Sequence, residues 1–143
     1  MTTPQRVITV RRLQTTMAAS YAGMGAWCLL FPSTVLSLSL RPAFRTTHPT
    51  VILLMRCFGA QAATAGLLLG TAQMTSFSFK AFSLAMVPYI AGFNAWAVLG
   101  GGREMFTPWI WMDVIGNLFF MGGSWWAGEV LGGVEKAQGG KAN

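Results

Sequence analysis

The chain has 143 residues, of which 53% are hydrophobic, 13% aromatic and only 10% charged. Soluble domains of this size carry about 25% charged residues, so ten basic and four acidic side chains are too few to cover a water-exposed surface. This composition excludes a water-soluble enzyme and predicts an all-α, multi-pass integral membrane protein.

Four long segments carry few or no charges, and each is long enough to cross a bilayer, which takes about 20 mostly apolar residues. The segments are continuously apolar, without the alternation of barrel strands, so helices are favoured. We predict helices at about 13–31, 50–71, 80–100 and 107–129. Together they would form a four-helix transmembrane domain, residues 13–129, between a basic N-terminal tail at 1–12 and a flexible polar tail at 130–143.

The distribution of Lys and Arg predicts which side of the membrane holds the termini. Positive residues remain on the untranslocated side, and four spans would place both termini on one face. That face would hold six basic residues and the opposite face three: Arg6, Arg11, Arg12, Lys80, Lys136 and Lys141 against Arg41, Arg45 and Arg103. We therefore expect both termini on the inner side. We interpret the net charge of +6 as charge that sets the membrane topology and contacts anionic lipid. Nucleic-acid binding would need a clustered basic patch.

The first twenty residues, MTTPQRVITVRRLQTTMAAS, are basic, rich in Thr and free of acidic residues. Mitochondrial presequences share this composition, and the alternative is a short basic tail that fixes the orientation of the first helix. We favour the basic tail. The specific membrane stays open, with the mitochondrial inner membrane as one candidate.

Small residues recur along the second predicted helix at spacings of four, three and four: Gly59, Ala63, Gly66 and Gly70. Helices associate in lipid when small residues let their backbones approach closely, so we expect this helix at the bundle centre. Its candidate partners are small residues of the first helix (Ala19 and Gly23, or Ala22 and Ala26) and of the fourth (Gly123 and Ala127). These faces could serve the chain's own bundle, which we favour, or a partner chain.

Two ionisable residues, Arg56 and Asp113, lie within the predicted spans. Each is about six positions from the outer end of its helix, or roughly 9 Å deep, and a charge in hydrocarbon costs at least ~2.5–3.5 kcal/mol. We therefore predict a polar cluster of Arg56, Asp113, Asn94 and Asn117 near the outer leaflet. It could be a structural ion pair or part of a ligand pocket, or Arg56 could extend to the headgroups alone.

The other reactive side chains form no known catalytic or metal-binding motif. Cys28 and Cys57 both lie toward the outer ends of their helices, which would allow a redox pair, but isolated cysteines in apolar runs are more often small buried hydrophobes. His48 lacks nearby Cys, Asp or Glu and is not expected to bind metal. We predict no catalytic residue, no metal and no cofactor, and the pattern leans against an enzyme.

A first helix closed by Pro32 is followed by LMRCFGA at 54–60, which opens the second helix, and then by a Gly-rich apolar continuation. Over residues 20–70 this arrangement resembles the small four-helix DoxX-like membrane proteins, which place an Arg and a Gly at the start of the second helix. The resemblance implies a four-helix bundle with a polar spot near Arg56. Some members of that family are linked to quinone-coupled oxidation complexes, but the resemblance implies no catalytic residues here.

These observations favour an accessory or assembly subunit of a larger membrane complex, with the lipid bilayer and other membrane subunits or further copies of the chain as partners. The alternative is a bundle that binds a lipid, sterol or quinone, as an enzyme component for example, with Arg56 holding a carbonyl or phosphate and Asp113 orienting it. Tyr21 and Tyr89 could add hydroxyls to such a site. A small transporter has the least support.

Overall fold

The computed structural model describes residues 3–139, and within them the chain is helical apart from short connections. The six α-helices are α1 (Thr3–Leu30), α2 (Pro32–Ser39), α3 (Pro49–Thr71), α4 (Ser76–Pro88), α5 (Ala95–Leu99) and α6 (Ile110–Gly139). A π-helical turn, Tyr89–Asn94, joins α4 to α5, so that Ser76–Leu99 form one continuous rod. Single 3-10 turns lie at Pro42–Phe44 and Gly101–Glu104.

Of the four predicted spans, the one whose observed boundaries lie closest to the prediction is α3. It begins at Pro49, whose missing amide hydrogen costs nothing in a first turn, and the His48 Nδ1 accepts a hydrogen bond from the Thr50 amide at 3.3 Å. The terminal helices are longer than predicted. α1 includes the basic segment 3–12, and α6 continues through the polar segment 130–139. Lys141 lies outside the described residues.

Two rods are long and apolar enough to cross a membrane: Pro49–Thr71, with a mean hydropathy of 1.6, and Ser76–Leu99, with 1.5. α1 and α2 together would make a third, although they meet at 104°. Among the described residues α6 does not reach the same threshold, because its apolar half also contains Asp113, Asn117 and several glycines. Two or three helices of this all-α protein are thus suited to a membrane.

The long helices pack as two antiparallel pairs. α3 lies on α1, α4 lies on α6, and a smaller contact between α1 and α6 joins the pairs. Val10, Phe79 and Ala127, from α1, α4 and α6, form a buried cluster. The Gln14 side chain of α1 donates to the carbonyl oxygens at the end of α3, Leu69 O at 2.6 Å and Ala72 O at 2.9 Å. We call this the terminal end of the bundle.

At the opposite end, which we call the loop end, the 40–48 connection meets the 100–109 connection. Leu40 and Phe106 form an antiparallel bridge. The Arg41 amide donates to Met105 O at 2.9 Å and the Thr107 amide donates to Ser39 O at 2.9 Å. The bridge ties the end of α2 to the segment that precedes α6, and so links the two helix pairs a second time.

Candidate functional site

The small residues of α3 lie against the backbone of α1. A Cβ atom on Gly66 would lie 2.3 Å from the Ala22 amide nitrogen, and one on Gly59 would lie 2.5 Å from the Leu29 amide nitrogen. Gly25 of α1 has the reciprocal arrangement, since its Cβ would lie 2.2 Å from the Ala63 amide nitrogen. All three distances are far below van der Waals contact, so the two backbones touch and only glycine fits.

On α1 the contacting face differs from the first predicted alternative. Gly23 has no atom within 4 Å of the position a Cβ would take, and Ala19 is exposed. The stripe that contacts α3 is Ala18, Ala22, Gly25 and Leu29. Its spacings of four, three and four repeat those of Gly59, Ala63, Gly66 and Gly70 on α3. This matched spacing was available in the sequence as a signal for Gly25, which the sequence analysis did not select.

The predicted polar cluster is divided between the two helix pairs. Arg56 is exposed on α3, which packs on α1 and makes no substantial contact with α6. Asp113 instead accepts a hydrogen bond of 3.3 Å from the Tyr89 hydroxyl. Within residues 3–139 the ion pair that forms is Lys80–Glu129, and Arg56 has neither an ion pair nor a hydrogen bond there. Arg56 and Asp113 both lie near the loop-end starts of their helices, but they are not partners because α3 packs on α1 rather than on α6.

Asn94 and Asn117 are both buried, with 3% and 9% of their surface exposed. Neither the Oδ1 nor the Nδ2 of Asn94 has a hydrogen-bond partner in the described part of the chain. The Asn117 Nδ2 lacks a partner within ordinary hydrogen-bond distance, but its side chain interacts with the Asp113 carboxylate one turn earlier on α6. A buried polar group without a partner costs about 1–3 kcal/mol. Asn94 is therefore the clearest unsatisfied polar side chain of the bundle interior within residues 3–139.

The π-helical turn explains why Asn94 faces inward. The buried residues of the rod that contains it are Phe79, Ser83, Met86, Asn94 and Ala97. In an uninterrupted α-helix, position 93 would lie two turns after Met86. The π turn contains one additional residue, so that Asn94 takes this place. π turns of this kind often occur at functional sites, and here the turn brings a carboxamide into the interior.

The remaining candidate residues are dispersed. Cys28 is buried and Cys57 exposed, and both are free thiols. Tyr21 packs its ring against Phe82 and Phe120, with ring centroids at 6.0 Å and 5.5 Å. No group of three or more His, Cys, Asp or Glu side chains within residues 3–139 could hold a metal ion.

Comparison of the chain with protein-family models, with curated proteins and with solved structures gives no match. The resemblance to the DoxX-like proteins stays a prediction.

Proposed function

We propose that this chain is a four-span membrane protein, with both termini on the same side, that serves as an accessory or assembly subunit of a larger membrane complex. The observation that carries the proposal is the exposed, unpartnered Arg56 on α3. The complex would supply the acidic or polar group that Arg56 lacks within its own chain.

The arrangement of the helix ends supports four spans. The starts of α1 and α4 and the ends of α3 and α6 lie at the terminal end, so four rods alternate in direction. α1 has 28 residues and α6 has 30, which at 1.5 Å per residue exceed a hydrocarbon core of about 30 Å. Their basic and polar halves would extend beyond the bilayer, on the side that holds most of the positive charge.

The surface of α3 supports a partner. Only 11% of its most apolar window is buried within the chain, so the faces of α3 that do not contact α1 are open to lipid or to another protein. Arg56 lies on this surface, seven residues from the start of the helix. A charge in hydrocarbon costs at least ~2.5–3.5 kcal/mol, and a carboxylate on a neighbouring subunit or second copy would remove much of that cost.

The test follows the chain from native membranes, solubilised in mild detergent, on a native gel, with the purified chain as a size reference. We expect the wild-type chain in a species much larger than the purified chain. Arg56→Gln should shift most of it to the smaller size, whereas Arg56→Lys, which keeps the charge, and Arg6→Gln, which removes an exposed charge at the terminal end, should not. Wild type at the size of the purified chain, or Arg56→Gln at the size of the large species, would contradict the proposal.

A second candidate function, binding of a lipid, sterol or quinone inside the bundle, is favoured by the unsatisfied Asn94 amide. Asn94 offers a donor and an acceptor, and Tyr89, Asp113 and Asn117, which interact with one another, belong to the same two rods. A ligand carbonyl or hydroxyl could satisfy these groups. This version of the site does not include Arg56.

The variant Asn94→Leu distinguishes two explanations of the unsatisfied amide, a ligand site and a structural defect. If no ligand binds, replacing an unsatisfied amide by an apolar side chain should raise the free energy of unfolding by about 1 kcal/mol. If a ligand binds, mass spectrometry of the purified wild type should detect a stoichiometric lipid, sterol or quinone that Asn94→Leu loses. Ser20→Leu, at an exposed position of α1, is the control for the change in hydrophobicity.

A further inference from the structure

The loop end contains a cavity of about 340 Å³ with arginines at its rim. Its apolar lining includes Leu99, Phe106 and Trp111, and its two charged lining residues are Arg41 and Arg103. Pockets for small ligands measure about 300–1,000 Å³, so this cavity has the size of a head group rather than of a whole lipid.

The bridge between the two connections holds Arg41, one of the two arginines of the cavity, and the neighbouring Arg45 in place. The Arg41 Nε donates to Phe106 O at 3.0 Å, and the Arg45 Nε donates to Leu40 O at 3.2 Å. Each guanidinium is therefore attached to one residue of the Leu40–Phe106 bridge through a single nitrogen. The terminal nitrogens of Arg41 make no other hydrogen bond within the described residues, which leaves them available to an anion.

No carboxylate within residues 3–139 forms an ion pair with the arginines of this cavity, Arg41 and Arg103. The ion pair found in that part of the chain, Lys80–Glu129, lies on the helical segments of the terminal end. Glu104 follows Arg103 directly in sequence but is exposed and unpaired in the same part of the chain. Two guanidiniums beside an apolar wall form a site for a group that is anionic on one side and apolar on the other.

Trp111 in the cavity wall, and Trp96 and Trp109 next to lining residues in the sequence, support a position at a membrane surface. Trp96, Trp109 and Trp111 are all close to half exposed, and tryptophan is enriched at bilayer interfaces. We propose that the cavity binds the phosphate-bearing head group of an anionic phospholipid. Arg41 and Arg103 would contact the phosphate oxygens, because guanidinium groups match phosphate geometry, and Phe106 and Trp111 would contact the apolar part next to the head group.

The experiment uses the full chain in an uncharged detergent and titrates it with dihexanoyl phosphatidylglycerol, dihexanoyl phosphatidylcholine or inorganic phosphate, followed by calorimetry. We expect saturable binding of the phosphatidylglycerol at least tenfold tighter than that of the phosphatidylcholine, weakening as salt is added. Equal binding of the two lipids by the wild-type chain would overturn the proposal, whatever the variants do. Inorganic phosphate that competes at the same concentration as phosphatidylglycerol would overturn the lipid assignment in favour of free phosphate.

Arg103→Gln is the first variant, because the Arg103 side chain makes no hydrogen bond within the described residues and its loss should leave the bridge intact. It should weaken phosphatidylglycerol binding about tenfold and leave the thermal transition unchanged. Arg6→Gln removes the same charge at the terminal end and should bind like wild type. Unchanged binding in Arg103→Gln would contradict the assignment. Since this site contains neither Arg56 nor Asn94, its failure would not affect the proposed function.

Discussion

In the α1/α3 pair the backbones touch at Gly25, Gly59 and Gly66, whereas in the α4/α6 pair side chains link the helices. Ser83 donates to Met121 O at 2.9 Å and Ser76 to Gly128 O at 2.7 Å. Further along, the Lys80 Nζ lies 2.8 Å from a Glu129 oxygen and 5.6 Å from the centre of the Trp125 ring. One pair thus depends on close approach and the other on polar contacts.

If the helices lie in a bilayer as proposed, where the hydrophobic effect does not drive them together, the difference represents two ways for them to associate. Close van der Waals packing loses about a quarter to a half of its attraction if the backbones separate by roughly 0.5–1 Å. A hydrogen bond from a serine to a carbonyl adjusts by rotation of the side chain, and such bonds within membranes average only about 0.6 kcal/mol. We therefore expect the α1/α3 pair to be much less tolerant of added atoms than the α4/α6 pair.

The largest expected effect is that of Gly66→Ala. The new Cβ would meet the Ala22 backbone, which cannot move away without separating the helices, and we expect the free energy of unfolding in bicelles to fall by about 3 kcal/mol. Gly23→Ala is the matched control on the same pair, because its Cβ would enter open space. The control should be neutral or slightly stabilising. Equal losses for both variants would refute backbone contact as the basis of the pair.

Gly128→Ala should have a smaller effect, although it also lies at a helix contact. Its Cβ would lie 2.7 Å from Lys80 Cγ, a flexible side chain, and 3.1 Å from Ser76 O. Because the lysine can move, we expect a loss of about 1 kcal/mol in the same unfolding measurement. Gly122→Ala, also on α6 but with open space around its Cβ, is the control. A loss as large as that of Gly66→Ala would remove the contrast between the two pairs.

Ser83→Ala removes one polar contact of the α4/α6 pair without adding atoms. Ser83 is buried and donates to Met121 O, so we expect a loss of about 0.6 kcal/mol, the average for hydrogen bonds between membrane helices. Unfolding of Ser20→Ala, an exposed serine on α1, measures the effect of the substitution alone. If the two variants unfold alike, hydrogen bonding does not hold α4 to α6.

The smallest effect should come from the Lys80–Glu129 ion pair. Both side chains are partly exposed, with relative exposures of 36% and 58%, and exposed ion pairs contribute little and are screened by salt. A double-mutant cycle of Lys80→Met and Glu129→Gln should give a weakly favourable coupling at low salt that disappears at high salt. A coupling independent of salt would indicate a pair shielded by lipid or by a partner.

The limits of some helices can be predicted from the sequence, and those of others cannot. α3 is apolar apart from a few polar residues such as Arg56, and it begins at Pro49, so its limits are visible in the sequence. The extensions of α1 to Thr3 and of α6 to Gly139 are not, because polar residues interrupt the hydropathy pattern without preventing helix formation. The bend at Phe31 agrees with the expected effect of Pro32, since proline removes a backbone donor and clashes with the preceding turn.

The site was less predictable than the helices. Helical periodicity identifies the small-residue stripe of α3, but the neighbour of each face depends on how four helices are ordered, which no local pattern records. This is why Arg56 and Asp113 do not form the predicted pair. The Tyr89–Asp113 hydrogen bond depends on the packing of the α4–α5 rod on α6. The inward position of Asn94 depends on the π turn, which has no reliable sequence signal apart from the preceding Pro88.

The π-helical turn absorbs one residue of extra length within the rod. Deletion of Gly92, which has open space around it, would restore an ordinary α-helical path from Ser76 to Leu99 and place Asn94 two turns after Met86, where it already lies. Ala97 and the wall of the loop-end cavity would therefore keep their orientation. An α-helical path that retained Gly92 would instead rotate every later residue by about 100° around the rod axis, so that Ala97 would leave the buried stripe and the cavity would lose part of its wall. The extra residue and the π turn that contains it thus act together to set the orientation of the part of the rod that follows them.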